Sequence, residues 1–187
     1  GTMAVRLWWL LRWLGHDRVA ILDGGWQAWG QAGLPLQTSP PGAVEAVTFE
    51  GSPDWQQVVT ADTLNRQLQE GGDALQLMDA RTAERFRGEA EPIDPVAGHI
   101  PGAMNLPLQD NLNQDGSFKS KEALQTLYAE ALAGRDPDSI VAMCGSGVTA
   151  CHNLLAMDLA GLHGGRLYAG SWSEWIRDPL RPVATGG

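Results

Sequence analysis

The chain has 187 residues, 43% of them apolar and 19% charged, with a formal net charge of −9. It can therefore build one large domain, or one domain and a fragment of another. An acidic balance with no visible basic patch excludes a nucleic-acid binder, which has phosphates to neutralise, and the two cysteines, seven residues apart, match neither a disulfide framework nor a four-ligand zinc site.

Met3 to Leu14 carries Leu7, Leu10, Leu11 and Leu14 at helical spacing, widened by Trp8, Trp9 and Trp13, and predicts a helix that needs a surface to bury against. The same run is interrupted by Arg6 and Arg12 and is too short to span a bilayer. With no secretory signal and reduced cysteines, a cytoplasmic location and no membrane partner are expected. Val19 to Leu22 reads as a short strand ending at Asp23-Gly24-Gly25, and Trp26 to Gln31 as a short helix closed by Gly33 and Pro35. Some 36 residues seldom fold alone. The chain opens Gly1-Thr2 directly into helical pattern, so residues 1–36 are read as the C-terminal part of an incomplete first domain whose remainder lay upstream.

Residues 37–57 are rich in Pro, Gly and Ser around one possible strand, Val44 to Phe49, and read as a linker lying along a neighbouring surface. A second domain, 58–187, follows. Thr60 is an N-cap for a helix with Leu64 and Leu68 inward. Ala74 to Met78 is a strand ending in Asp79-Ala80-Arg81. Thr82 to Phe86 is a short helix, and Arg85 and Arg87 place two cations beside that turn. Glu89 to Ala97 is an acidic surface loop, Met104 to Pro107 a short strand limited by proline, and Ser120 to Leu132 an amphipathic helix capped by Ser120.

Ile140-Val141-Ala142-Met143 is a buried strand that ends on Cys144. Gly145-Ser146-Gly147-Val148-Thr149 then turns into a helix from Ala150 to Leu162. A thiolate at Cys144 is favoured there by free backbone amides and the positive end of the helix dipole. Arg166 to Gly170 is a last strand, and Ser171 to Trp175 a second strand-end turn. Strands alternating with helices predict an α/β fold, a mainly parallel sheet with helices on both faces. Ligands in such folds sit beyond the carboxyl ends of the strands, so Asp79, Arg81, Cys144 and Ser171 to Trp175 should share one rim. Leu22 to Trp29 repeats the pattern of Tyr168 to Trp175, a Gly-rich turn followed by tryptophans three apart.

Asp79-Ala80-Arg81, Arg85-Phe86-Arg87-Gly88, Gly98-His99-Ile100-Pro101-Gly102-Ala103, Cys144 to Thr149 and Gly170 to Trp175 together resemble the tandem-domain rhodanese-like sulfurtransferases. The Cys144 loop is similar to that of the 3-mercaptopyruvate sulfurtransferases, whereas thiosulfate-specific rhodaneses usually carry two basic residues where Gly145 and Ser146 stand. The resemblance implies a rhodanese-like fold in which 58–187 is catalytic, 37–57 an interdomain linker and 1–36 the tail of a non-catalytic copy. It implies that Cys144 takes a sulfane sulfur from a small anionic donor, 3-mercaptopyruvate or alternatively thiosulfate, as a persulfide. The sulfur then passes to cyanide or a thiol such as thioredoxin, with no cofactor and no metal.

On that resemblance the amides of Gly145, Ser146, Gly147, Val148 and Thr149 bind the sulfur, and Arg85 binds the donor carboxylate. The Ser146 and Thr149 hydroxyls either join the chemistry or serve as loop and cap residues. Asp79 and Arg81 brace the rim, Trp172 and Trp175 wall the pocket or pack, and His99 and Cys151 are structural. Many relatives carry a second arginine in the acidic loop; here Glu91-Pro92-Ile93-Asp94 has none, which leaves Arg87 as a substitute. Two other readings fit the residues less well. A phosphatase on this fold needs an arginine at position 150, which is alanine, and an inactive binding domain has no need of Cys144.

Overall fold

The computed structural model describes residues 1–187 apart from Pro41 and Val44. The helices are α1 (Thr2–Trp13), α2 (Gly25–Gln31), α3 (Ala61–Glu70), α4 (Ala83–Arg87), α5 (Lys121–Leu132), α6 (Ala150–Ala160) and α7 (Ser171–Trp175). The strands are β1 (Gln76–Asp79), β2 (Met104–Asn105), β3 (Ile140–Met143) and β4 (Arg166–Leu167). The strands form one sheet in the order β2-β1-β3-β4. Every pairing is parallel, with Met78 opposite both Met104 and Ala142.

Successive strand residues point to opposite faces, and each face meets its own helices. Met78, Ile140, Ala142 and Leu167 pack with Leu124 and Tyr128 of α5 and Leu155 of α6. Leu77, Val141 and Met143 pack with Leu64 of α3 and Trp172 and Trp175 of α7. Burial on both sides is why β3 is apolar at every position. Helix α6 is buried from Ala150 through Met157 because α1 and α5 cover the faces that the sheet does not.

The caps read from the sequence form. The Thr60 side chain accepts from the Thr63 amide at 3.3 Å, and Ser120 from the Ala123 amide at 3.3 Å. Helix α1 finds its surface within this chain: Trp8 and Trp9 are buried, and they join the α6 core. The stretch after it continues that packing, since the Ser52 and Asp54 amides donate to the carbonyls of Leu14 and Trp13, and Trp55 meets Trp13 edge-on at 4.9 Å.

Several elements differ from expectation. Val19 to Leu22 is not a strand, because no sheet edge lies beside it; Val19 and Ile21 instead press their side chains onto the α1–α6 core. Of the expected strand from Val44 to Phe49, Val44 lies outside the described residues. The rest is unpaired, with Val47 and Phe49 exposed. The open edge of β4 is taken by Val58, which bridges to Leu167 in parallel, while the Val59 amide donates to the Leu167 carbonyl at 2.9 Å. Ser171 to Trp175 is a helix, and Leu159, one of the helical leucines, is 43% exposed. No helix among the described residues is long and apolar enough to cross a membrane.

Candidate active site

The site lies beyond the carboxyl ends of β1 and β3. Cys144 follows β3 directly and is 1% exposed. Its backbone is fixed from the neighbouring strand end. The Cys144 amide donates to Ser171 Oγ at 3.1 Å, Ser171 Oγ donates to the Tyr168 carbonyl at 2.9 Å, and the Trp172 and Ser173 amides donate to the carbonyls of Cys144 and Gly145. Ser171 makes these bonds from a left-handed backbone, φ +53°, and is fully buried. Such a conformation persists only where its surroundings hold it. Nothing in the sequence singles out this serine from its neighbours as the one that locks the Cys144 amide.

Residues 145–149 wrap from Cys144 to α6. Gly147 adopts φ +72°, and a Cβ there would collide with the Ala169 carbonyl, so only glycine fits. Among the described residues, none of the N–H groups of 145–149 donates to a protein acceptor. Ser146 is the exposed residue of the loop. Thr149 occupies the N-cap position of α6 without making a side-chain capping bond, so its hydroxyl is not committed to the helix.

Arg85, on α4, reaches this loop from the β1 side. Its Nη2 and Nη1 lie 3.6 and 3.7 Å from where a Cβ on Gly145 would stand. The guanidinium is oriented by the acidic loop. Nε donates to both Glu91 oxygens at 3.1 Å, and Nη2 donates to Glu91 Oε1 at 2.7 Å and to Asp94 Oδ2 at 3.3 Å. Nη1 has no acceptor among the described residues. Burial pushes the Glu91 carboxyl up, but hydrogen bonds from Arg85 and from the Asp94 and Ile93 amides outweigh it and hold the group below its usual range. Asp94 is held in turn by Ser173, whose Oγ donates to Oδ1 at 2.8 Å.

Asp79 and Arg81 form the rim's internal brace. Arg81 Nε and Nη2 grip Asp79 as a fork, at 3.0 and 2.7 Å to Oδ2, while Nη2 also donates to the Gly98 carbonyl and Nη1 to Glu91. The same guanidinium lies 4.7 Å from the Trp172 ring centroid, and Trp172 Nε1 donates to the Val96 carbonyl. Trp172 and Trp175 are fully buried, so they pack rather than wall an open pocket. His99 stacks on Phe86 at 3.8 Å with its Nδ1 bonded to the Phe86 carbonyl. Arg87 pairs with Glu89 at the surface and does not replace the missing second cation. Cys151 is buried, and burial pushes its thiol up to about 11, so it stays protonated at neutral pH.

The structure places Asp79, Arg81, Cys144 and the Ser171 to Trp175 segment, the residues expected to share a rim, around the ends of β1 and β3, and it brings Arg85 beside Gly145. Sequence reasoning missed that Glu91 and Asp94 clamp Arg85, and that Ser171 anchors Cys144. Among the described residues no group of His, Cys, Asp and Glu is placed to hold a metal ion. A cleft of about 360 Å³ between α1 and α6, lined by Trp9, Arg12, Asp54, Met157 and His163 among others, lies apart from the Cys144 loop.

The rhodanese-like domain family matches residues 60–178. This chain belongs to that family. The rhodanese-like chain is 56% identical over 187 residues to a probable 3-mercaptopyruvate sulfurtransferase of Pseudomonas aeruginosa, covering all of this chain and 65% of that protein. It is 42% identical over 187 residues to a putative thiosulfate sulfurtransferase of Mycobacterium tuberculosis, covering 98% of this chain and 63% of that protein. Among solved structures, Tum1 protein from Saccharomyces cerevisiae superimposes with a TM-score of 0.83 at 28% identity, over 99% of this chain and 66% of that one. The chain therefore spans somewhat under two thirds of the length of these curated relatives.

Proposed function

We propose that this rhodanese-like chain is the catalytic part of a sulfurtransferase that carries sulfur on Cys144. The observation that carries the reading is one cysteine seated at a strand end inside a loop whose amides have no protein acceptor, with the open Nη1 edge of Arg85 beside it. Amides left without a protein acceptor beside a cysteine are suited to an anion that comes and goes, a thiolate or a terminal persulfide sulfur. The open edge of a guanidinium is suited to the carboxylate of the donor.

For 3-mercaptopyruvate, the Cys144 thiolate attacks the donor sulfur, a sulfur–sulfur bond forms, and the carbon–sulfur bond breaks. The electron pair leaves on the pyruvate enolate, which takes up a proton; Ser146 and Thr149 carry the nearest uncommitted hydroxyls of the loop. An acceptor thiolate, or cyanide, then attacks the outer sulfur and returns the electron pair to Cys144. A small thiol or a protein dithiol of the thioredoxin kind fits this second step. Thiosulfate fits the same cysteine with sulfite as leaving group. That second reading is favoured by Glu91 and Asp94, which occupy two of the three nitrogens of Arg85 and leave a single-edged anchor where a carboxylate prefers a fork.

The test is sulfur release from each donor, read as kcat/KM, with Cys144→Ser as the control. Transfer from mercaptopyruvate that disappears in the serine variant supports the proposal; transfer that survives it sinks the mechanism. A larger kcat/KM for thiosulfate would reverse the donor assignment and leave the role of Cys144 intact.

A further inference from the structure

Arg6 lies on α1, in the stretch read from the sequence as the tail of a non-catalytic copy, yet it touches the Cys144 loop. Its Nη1 donates to the Gly147 carbonyl at 3.2 Å and lies 3.7 Å from Cys151 Sγ, contacts that span 141 and 145 residues of sequence. The guanidinium is half-buried and lies 5.1 Å from the Trp9 ring centroid, while Trp9 itself is packed into the α6 core. The Cys151 thiol donates to the same carbonyl at 3.5 Å. Two donors from two different helices therefore hold one oxygen of the catalytic loop.

The consequence follows from peptide geometry. In a trans peptide the carbonyl of one residue and the N–H of the next point in opposite directions. Drawing the Gly147 oxygen toward α1 turns the Val148 N–H away from α1, and that N–H is among those with no protein acceptor. Gly147, at φ +72° and without a Cβ, is the place in the loop where a peptide could most easily flip. A cation on the carbonyl end also polarises the peptide and strengthens its N–H as a donor. Cys151 alone is a weak substitute, since a thiol is a poor donor.

We propose that Arg6 is a positioning residue for sulfur transfer: it fixes the Gly147–Val148 peptide so that the Val148 amide faces the sulfur held on Cys144. The proposal rests on the sulfurtransferase reading above. It assigns α1 a share in the catalytic loop beyond its packing on α6.

The experiment compares Arg6→Gln and Arg6→Lys with the wild-type chain in donor kinetics, thermal melts and the amide resonance of Val148. Arg6→Gln is expected to lower kcat about tenfold, less than the loss of a whole anion-hole donor, with KM for the donor within about twofold. The Val148 amide resonance should shift. Arg6→Lys, which keeps a charged donor, should recover most of the rate and move the resonance back. An unchanged kcat in a folded Arg6→Gln overturns the proposal, whether or not the resonance moves. So does a rate loss that Arg6→Lys shares in full alongside an equal drop in melting temperature, since that describes a packing residue. If the wild-type chain transfers no sulfur, the function reading fails first, and an unmoved Val148 resonance then overturns the positioning separately.

Discussion

Arg81 and Arg85 stand four residues apart, lean on the same Glu91 and flank the same rim, yet they are opposites in what they leave unused. Arg81 is 1% exposed in its side chain, and every nitrogen has an acceptor: Asp79 takes Nε and Nη2, Gly98 shares Nη2, and Glu91 takes Nη1. Arg85 is 16% exposed, and its Nη1 has no acceptor. A buried guanidinium with every nitrogen engaged is placed to hold structure, whereas one with an open edge beside the Cys144 loop can hold a ligand. The difference comes from geometry, since the residue type and the shared counter-ion are the same.

The largest effect expected from breaking this contrast is on stability. Arg81→Ala leaves the Asp79 carboxylate fully buried with the amide of residue 81 as its one partner among the described residues. Stranding one member of a buried pair costs about 3–5 kcal/mol, so for a chain of this size the melting temperature should fall by about 10 °C. A calorimetric scan of Arg81→Ala that overlays the wild type would remove the distinction drawn here.

Arg85→Ala should do the reverse, with a loss of roughly 10²-fold in kcat/KM for a carboxylate donor and a change in melting temperature of only about 3 °C. Arg85→Lys should recover little, because an ammonium on Glu91 presents no second planar edge to the loop. Steady-state kinetics on mercaptopyruvate, run beside melts of the same samples, checks both statements. Equal activity in Arg85→Ala would show that the donor is anchored elsewhere.

What the sequence disclosed of this site follows its range of interaction. The Cys144 loop, the β1 end at Asp79, and the caps at Thr60 and Ser120 are written in contiguous residues and could be read there. The Val19 to Leu22 run looked like a strand because β propensity reports an apolar, branched surface and says nothing of whether an edge is free. Here no sheet edge lies beside the run, and the open edge of β4 is taken instead by Val58. Glu91 and Asp94 were visible as acids, but composition cannot show that they face Arg85. The Arg6 contact with Gly147 crosses 141 residues, and no local pattern announces it.

Glu91 joins the two arginines, so its titration should sharpen the comparison. Its folded-state value is lowered from 4.5, which means that its ion pairs stabilise the fold fully above about pH 4.5 and lose that contribution as pH falls through the lower folded value. Glu91→Gln removes the charge at every pH. The gap in melting temperature between wild type and Glu91→Gln should therefore be widest near neutrality and close on acidification. A gap that stays constant from neutral to acid pH would mean that Glu91 acts through packing alone.

The smallest effect, and the one that separates anchor from clamp, belongs to Asp94. Its Oδ2 lies 3.3 Å from Arg85 Nη2 and 4.0 Å from where a Cβ on Gly145 would stand, so a carboxylate already faces the place where the proposed anionic donor would come. Glu91, not Asp94, fixes the guanidinium plane, because it alone engages both Nε and Nη2. Asp94→Asn keeps an oxygen for the Ser173 hydroxyl and deletes one nearby negative charge. Across a few ångströms at a partly solvated rim that charge is worth on the order of 0.5–1 kcal/mol, so KM for the donor should fall about threefold with kcat unchanged. The fall should be largest at low ionic strength, where screening is weakest. A rise in KM would instead make Asp94 part of what holds Arg85 in place, and would move it from the side of the ligand's competitor to the side of the brace.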